Sequence, residues 1–504
     1  MKVKLRAVSV LLTLLMLVSA LSACGGEQIE KAETEGAESM GSDSETVTVT
    51  VTETRTETEA MPEVEKTNYN SDFYLSIMSG VSNEFKYHFV DEGSNDVLSE
   101  AIFARQQKVY EHLGVNIIGT EYPDFATYTT PYKTAVKNKD GSVDTLLTHV
   151  YYGVAGLVSG SFVIDLGELS GIDLDADYWN REFMEDLSLA DRYYLGFSDY
   201  NILNTNVVVF NKTMMDKYAD TLDKSVYDMV RDYEWTVDQM ISLAQMVYVD
   251  ASSDGKTPDD TYGITGRQWN EFPGFLHACD VKIIEQNEKG EYQLAFMNDK
   301  NAHKTTALVE KLHQLSVSEY AYFDYKTNDI PTVPFTTGRV LLHLSAVTYV
   351  EDFLPYDISF GVLPYPVWDT AQKDVGYRHL QWSGFITVPT YLNNEQMVGE
   401  TLEMLSFYSE DVQVAYYEKL LGKQIADAPD DSEMFRIVWD SVCSEFAQPY
   451  CESLGGNGIL YFMPDLVRAE ATQSIASYYA AYQRPYNSAI SKFTRMIESK
   501  LKAE

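Results

Sequence analysis

Asp250, Ser252, Asp254 and Gly255 occupy the first, third, fifth and sixth places of an acidic turn. Oxygen-bearing side chains at alternate positions, followed by a glycine bend, are how a twelve-residue loop wraps a calcium ion. Here Pro258 stands at the ninth place and Thr261 at the twelfth, where a bidentate carboxylate is wanted; Asp259 and Asp260 are displaced from it. A plain acidic turn is the expectation, with a structural calcium held by Asp250, Ser252, Asp254 and Asp260 as the alternative. No cofactor is otherwise expected. The eight histidines show no H-E-x-x-H, and the four cysteines no C-x-x-C, so neither a zinc protease nor a zinc knuckle is supported. The 76 acidic residues could always supply a carboxylate pair for glycoside hydrolysis, but no G-x-S-x-G nucleophile motif accompanies them.

A fourth chemical feature is Cys24. Lys2, Lys4 and Arg6 precede an apolar run from Val8 to Ala20, and Leu21-Ser22-Ala23-Cys24 closes it. Basic start, apolar stretch and small-residue cleavage region make a secretory signal. With cysteine after the cut, the segment resembles the bacterial lipoprotein signal, in which that residue becomes the lipidated N-terminus. The run is shorter than the ~20 residues of a membrane-spanning helix. The resemblance implies a signal peptide over residues 1–23 and a chain anchored on the extracellular face of a cell membrane, in a bacterium lacking an outer membrane. Cys279, Cys443 and Cys451 then remain; Cys443 and Cys451 could pair outside the cell, or all three could be buried thiols.

The elements that must position any site begin after a spacer. Residues 24–66 are polar, repetitive and acidic, and read as a disordered linker. The whole chain of 504 residues carries a formal charge of −38, which disfavours nucleic acid and basic membrane patches. From about residue 67 the pattern is α/β. Lys86–Val90 reads as a strand and Asp91–Asp96 as a turn. A helix is expected over Val97–Leu113, stopped by Gly114. Further strands are expected at Val115–Ile118, Asp144–Tyr152 and Asn206–Phe210, the last opening a helix at Asn211-Lys212. Thr236 and Gln239 form a capping box for a helix that turns Met240, Leu243, Ala244 and Val247 inward. Ile490, Phe493, Met496, Ile497 and Leu501 mark a C-terminal amphipathic helix. Alternating strands and helices imply mainly parallel sheets with crossover helices.

Five segments in order resemble the extracellular solute-binding protein family 1, the carbohydrate receptors of ABC importers. They are NDVLSEAIFARQQKVYEHLGVNI (95–117), GSVDTLLTHVYYGVAGLVSGSFVIDL (141–166), YWNREFMEDLSLADRYYLGFSDYNILNTNVVVFNKTMMDKY (178–218), WTVDQMISLAQMVYVDASSDGKTPDDTYGITG (235–266) and FGVLPYPVWDTAQKDVGYRHLQWSGFITVP (360–389). The resemblance covers about residues 80–445. It implies a two-lobed, type II periplasmic-binding-protein-like fold with a hinge and a ligand cleft between lobes. Lobe one would combine 67–198 with 365–428, and lobe two 199–364 with 429–504, with crossovers near Leu195–Asn204, Phe360–Pro366 and Ala426–Asp431. It further implies a monomer that binds a carbohydrate, delivers it to permease subunits and performs no covalent chemistry.

A sugar presents flat C–H faces and many hydroxyls, so its site needs aromatic platforms beside polar side chains. Ligands of open α/β sheets sit at the carboxyl ends of strands. Candidate contacts on such loops are Asp91 and Glu92; His149, Tyr151 and Tyr152; Asp199, Tyr200 and Asn201 at the inferred hinge; Trp269 and Asn270; Trp382 and Ser383; and Tyr461 after the Gly-Gly-Asn-Gly run. Trp382 is the favoured stacking platform. A secreted carbohydrate-active enzyme and a surface glycan-binding adhesin are the competing classes.

Overall fold

A computed structural model describes residues 61–79, 85–93, 96–251, 255–324, 332–422 and 428–502. Cys24, most of the linker, Ser252, Asp254 and the start of the third expected crossover lie outside these. Among the described residues the chain builds two larger sheets and two two-stranded ones, Ile284–Gln286 with Tyr292–Leu294 and His379–Leu380 with Val442–Cys443. In the first larger sheet, β1 (Ser71–Met78) runs parallel to β2 (Val115–Tyr122), with Ser71 opposite Val115 and Met78 opposite Tyr122. It also runs parallel to β3 (Thr145–Leu147), with Leu75 opposite Thr145. Ile386–Thr387 returns from far along the chain and pairs antiparallel with β3, giving the order Ile386–Thr387, β3, β1, β2.

Between those visits the chain makes the second sheet. Its members include β4 (Asn206–Asn211), β5 (Tyr248–Val249) and β6 (Thr261–Arg267). β6 is parallel to Ala321–Asp324 and to Val340–Ala346, whereas β4 is antiparallel to Val340–Ala346 and to Phe360–Leu363. All six residues of β4 and all seven of Val340–Ala346 are buried. Strands covered on both faces lose alternation and become continuous apolar runs, which is how both read in the sequence.

Helix boundaries follow local chemistry. The Val97–Leu113 helix starts at Asp96, whose side chain accepts from the Ser99 amide, and stops at Gly114 in the left-handed conformation. Asn211 caps Lys212–Tyr218 by accepting from Met214, and Thr236 caps Val237–Gln245 by accepting from Gln239. Met240, Leu243, Ala244 and Val247 are all buried. One helix spans Ile475–Leu501, burying Ile490, Phe493 and Ile497 while Met496 stays exposed.

Two expectations need correction, and one open alternative is decided. Lys86–Val90 is no strand: Phe85–His88 is one helical turn, held where Arg105 donates to the His88 carbonyl at 2.8 Å. The first strand is β1, fifteen residues earlier. The strand expected over Asp144–Tyr152 is only Thr145–Leu147, because beyond Thr148 the chain turns, the amides of Tyr151 and Tyr152 both donating to His149 Nδ1. Cys443 and Cys451 are not bridged; Cys279, Cys443 and Cys451 are buried free thiols, and burial pushes each up to about 12.

Candidate functional site: an aromatic cluster joining loops of both sheets

The site is built outward from β3. Just beyond it the Thr148 amide donates to Phe385 O at 3.0 Å and the Thr148 hydroxyl accepts from the Phe385 amide at 3.2 Å. Gly384 makes this approach available: a Cβ there would lie 1.6 Å from the Thr148 carbonyl. The Trp382–Gly384 loop is thereby pressed against the loop that carries His149, Tyr151 and Tyr152.

His149 organises its own loop. Its Nδ1 accepts from the amides of Tyr151 at 3.1 Å and Tyr152 at 3.3 Å, so the ring is a neutral imidazole with its proton on Nε2. Burial lowers its pKa to about 4, which keeps Nδ1 free to accept. The Tyr128 hydroxyl completes the turn, donating to the Tyr152 carbonyl at 2.6 Å and accepting from the His149 amide at 3.2 Å.

From this turn a chain of rings crosses to the second sheet. Phe125 stacks on Tyr152 with 4.6 Å between centroids, and Tyr152 lies 4.4 Å from Tyr151. Tyr151 meets Tyr461 edge-on at 6.0 Å, their hydroxyls 3.3 Å apart. Tyr461 stacks on Trp269 at 4.8 Å and 5°. Trp269 sits on the turn Gln268–Glu271, immediately beyond the carboxyl end of β6. Trp382 lies 6.3 Å from Tyr461. Its amide donates to Asn204 O at 2.6 Å and its indole N–H to Asn206 Oδ1 at 2.9 Å. Polar groups border the rings: Asn457 donates to the Tyr152 hydroxyl at 3.3 Å, and Glu452 accepts from the Gly153 amide at 3.0 Å. Phe125 and Trp269, at the two ends, are 40% and 37% exposed, whereas Tyr461 is buried. The arrangement offers apolar faces flanked by hydroxyl, amide and carboxylate groups, suited to a neutral, hydroxyl-rich ligand with flat faces.

Of the residues anticipated from sequence, the cluster brings together His149, Tyr151, Tyr152, Trp269, Trp382 and Tyr461. Ser383 adjoins it, buried, with no hydrogen-bond partner for its hydroxyl among the described residues. Asp91 and Glu92 are exposed, beyond the helical turn that replaces the expected strand, and no bond or ring contact among the described residues joins them to the cluster. Tyr200 is core: Arg105 lies over its ring at 4.3 Å and its hydroxyl donates to the His88 carbonyl at 3.3 Å. Asn201 is a brace, donating to Gly384 O at 2.9 Å and accepting from the Ser198 amide at 2.9 Å. Asp199 and Asn201 line a separate polar cavity of about 320 Å³ with Gln381, Gln413 and Trp439. Asn270 follows Trp269 on the same turn. Phe125 was missed, having no sequence signal beyond being one aromatic residue among many.

In the acidic turn, Asp260 is fully buried and accepts from the amides of Ala251 at 2.9 Å and Thr257 at 2.8 Å and from the Tyr262 hydroxyl at 3.3 Å. The Ala251 amide is the leading cause that holds its carboxyl below the usual carboxylate range. Among the described residues no group of three or more His, Cys, Asp or Glu side chains could hold a metal ion.

No family model and no curated protein matches the sequence. Solved structures do resemble the fold. The GacH receptor of Streptomyces glaucescens, solved unliganded and with acarbose, is 14% identical with a TM-score of 0.50, covering 85% of this chain and 99% of that one. UgpB from Mycobacterium tuberculosis, solved with glycerophosphocholine, is 14% identical with a TM-score of 0.51, covering 85% and 98%. An ABC transporter solute-binding protein from Thermotoga lettingae, bound with alpha-D-tagatose, is 12% identical with a TM-score of 0.50, covering 85% and 100%. Together with two mixed sheets linked by a chain that leaves the first and returns to it, this gives the fold: the protein is an α/β chain with the two-lobed, type II periplasmic-binding-protein architecture.

Proposed function

We propose that this protein is the substrate-binding component of an ABC importer and that it captures a carbohydrate between its lobes. The observation that carries this reading is the ring chain from Phe125 through Tyr152, Tyr151 and Tyr461 to Trp269, which joins loops of both sheets. Stacking faces at a place where two lobes meet serve capture by hinge closure, with binding and population shift as the whole of the work. No covalent step is assigned to it. In this reading lobe one comprises 67–198 with 365–428 and lobe two 199–364 with 429–504. Cys24 carries the lipid that holds the protein, as a monomer, on the outer face of the membrane. Two or more acyl chains give stable attachment where one is marginal, and the acidic linker keeps the receptor near its permease at high effective concentration.

Calorimetric titration of residues 67–504 against mono- and oligosaccharides tests the function. Saturable binding of a sugar without release of reducing ends is expected. Binding of an amino acid, a polyamine or glycerophosphocholine, with no sugar bound, would overturn the carbohydrate assignment. For the anchor, Cys24→Ser should abolish incorporation of a labelled fatty acid and release the protein from cells.

A further inference from the structure

We propose that Arg267 and Glu271 are positioning residues for Trp269, tying the seat of that ring to the segment that leads out of the second sheet at Tyr365. The proposal rests on the reading of Trp269 as part of the carbohydrate site.

Trp269 stands on a helix of only four residues, Gln268–Glu271, and Arg267 at its N-cap makes no side-chain cap bond. One isolated turn fixes several dihedrals for a single hydrogen bond, so it needs outside support. The support is a clamp across the turn. Arg267 Nε donates to Glu271 Oε1 at 3.0 Å, four residues apart, with Trp269 between them. The clamp is anchored at both ends. The Arg267 guanidinium lies over the Tyr349 ring at 4.1 Å, in the segment that follows the Val340–Ala346 strand. The Glu271 carbonyl accepts from the Tyr365 hydroxyl at 3.1 Å. Tyr365 is buried two residues beyond Phe360–Leu363, and its amide donates to His379 Nε2 at 2.9 Å on the path back to the first sheet.

The clamp also carries a cost that packing alone would not retain. The Glu271 side chain is fully buried, Arg267 is 11% exposed, and Glu271 Oε2 has no hydrogen-bond partner among the described residues. A half-satisfied buried ion pair adds little stability compared with apolar side chains of like volume. Such a pair does fix one geometry, here that of the turn under Trp269. The Tyr365 hydroxyl, bonded to the main-chain carbonyl of Glu271, holds the same turn against the segment that leaves the second sheet.

The test needs no ligand. Trp269 emission is taken as the difference between each protein and the same protein carrying Trp269→Phe, and its quenching by acrylamide is measured. Glu271→Ala and Tyr349→Leu should raise the quenching, whereas Glu271→Gln, which keeps an acceptor for Arg267 Nε, should leave it at the native level. Native quenching in both Glu271→Ala and Tyr349→Leu, with native melting temperatures, would overturn the proposal; if Glu271→Ala does not fold, Tyr349→Leu decides. Failure of every sugar to bind would overturn the proposed function and leave this measurement unaffected.

Discussion

The rings of Trp269 and Tyr461 lie parallel, with 4.8 Å between centroids and 5° between planes. Trp269 keeps 37% of its surface exposed. Trp269→Ala forfeits this stack and should cost about 0.5–1.5 kcal/mol of stability, while sugar affinity falls about 2- to 10-fold, the worth of one further aromatic contact. Titration calorimetry and a thermal melt on the same preparation check both halves. A large loss of stability with unchanged affinity would assign Trp269 to the core.

Trp382 should behave in the opposite way. It donates through both its amide and its indole, to Asn204 and Asn206. Trp382→Phe removes the indole donor and should cost about 1 kcal/mol, read as a lowered urea midpoint. Affinity should change less than stability.

Glu445 is a buried carboxylate that gathers four donors: the amides of Ile283 at 2.7 Å, Ile284 at 3.1 Å and Ala447 at 3.0 Å, and His277 Nε2 at 2.9 Å. Glu445→Ala strands these groups without an acceptor. A loss of about 3–5 kcal/mol is expected, measured in urea with the slope of the transition unchanged. A loss below ~1 kcal/mol would show that the loop relaxes to satisfy itself.

Acid should weaken the fold above the range where carboxylates ordinarily titrate. Burial pushes His88, His343 and His379 down to about 3 and His149 to about 4, from an ordinary 6.5. Unfolded, each takes up a proton near 6.5. Below that pH the unfolded chain holds more protons, so stability falls as pH drops from 6.5 toward the folded values, by up to ~1.4 kcal/mol per unit for each imidazole. Asp144, raised by burial to about 6, and Glu271, raised by burial to about 7, act the other way, since their native forms bind protons first. Asp352 and Glu403, also raised by burial, join them. The four imidazoles are displaced across the whole window and outweigh these four carboxyls, so the melting temperature should decline from pH 7 to 4.5. A flat or rising curve would contradict these burials.

How much was legible in the sequence depended on where the determining contacts lie. The Val97–Leu113 helix was readable to the residue because Gly114 is a local stop signal, and Thr236 announced its own cap. Lys86–Val90 was misread because a short apolar, aromatic run has no period of its own; the choice of one helical turn is made by Arg105, distant in sequence. β1 was missed although Phe73–Met78 is an apolar run, since both of its neighbours had to be known before it could be paired. In the site, Trp269 and Tyr461 could be named one at a time, but their stacking joins positions 192 residues apart and left no trace in either neighbourhood. Tyr200 and Asn201 looked available because their polar groups are visible in the sequence and the backbone atoms that consume them are not.

On the proposed function, the parallel stack of Tyr461 on Trp269 makes the protein a competitor for its own site. A guest that needs the inner face of either ring must first part the two, forfeiting their mutual attraction and lowering its apparent affinity by about 2- to 10-fold. A small guest that covers one ring recovers little of that loss; a guest broad enough to cover both recovers all of it. The contact would thus act as a size threshold set from within, and it keeps two adhesive ring faces out of water in the absence of a guest.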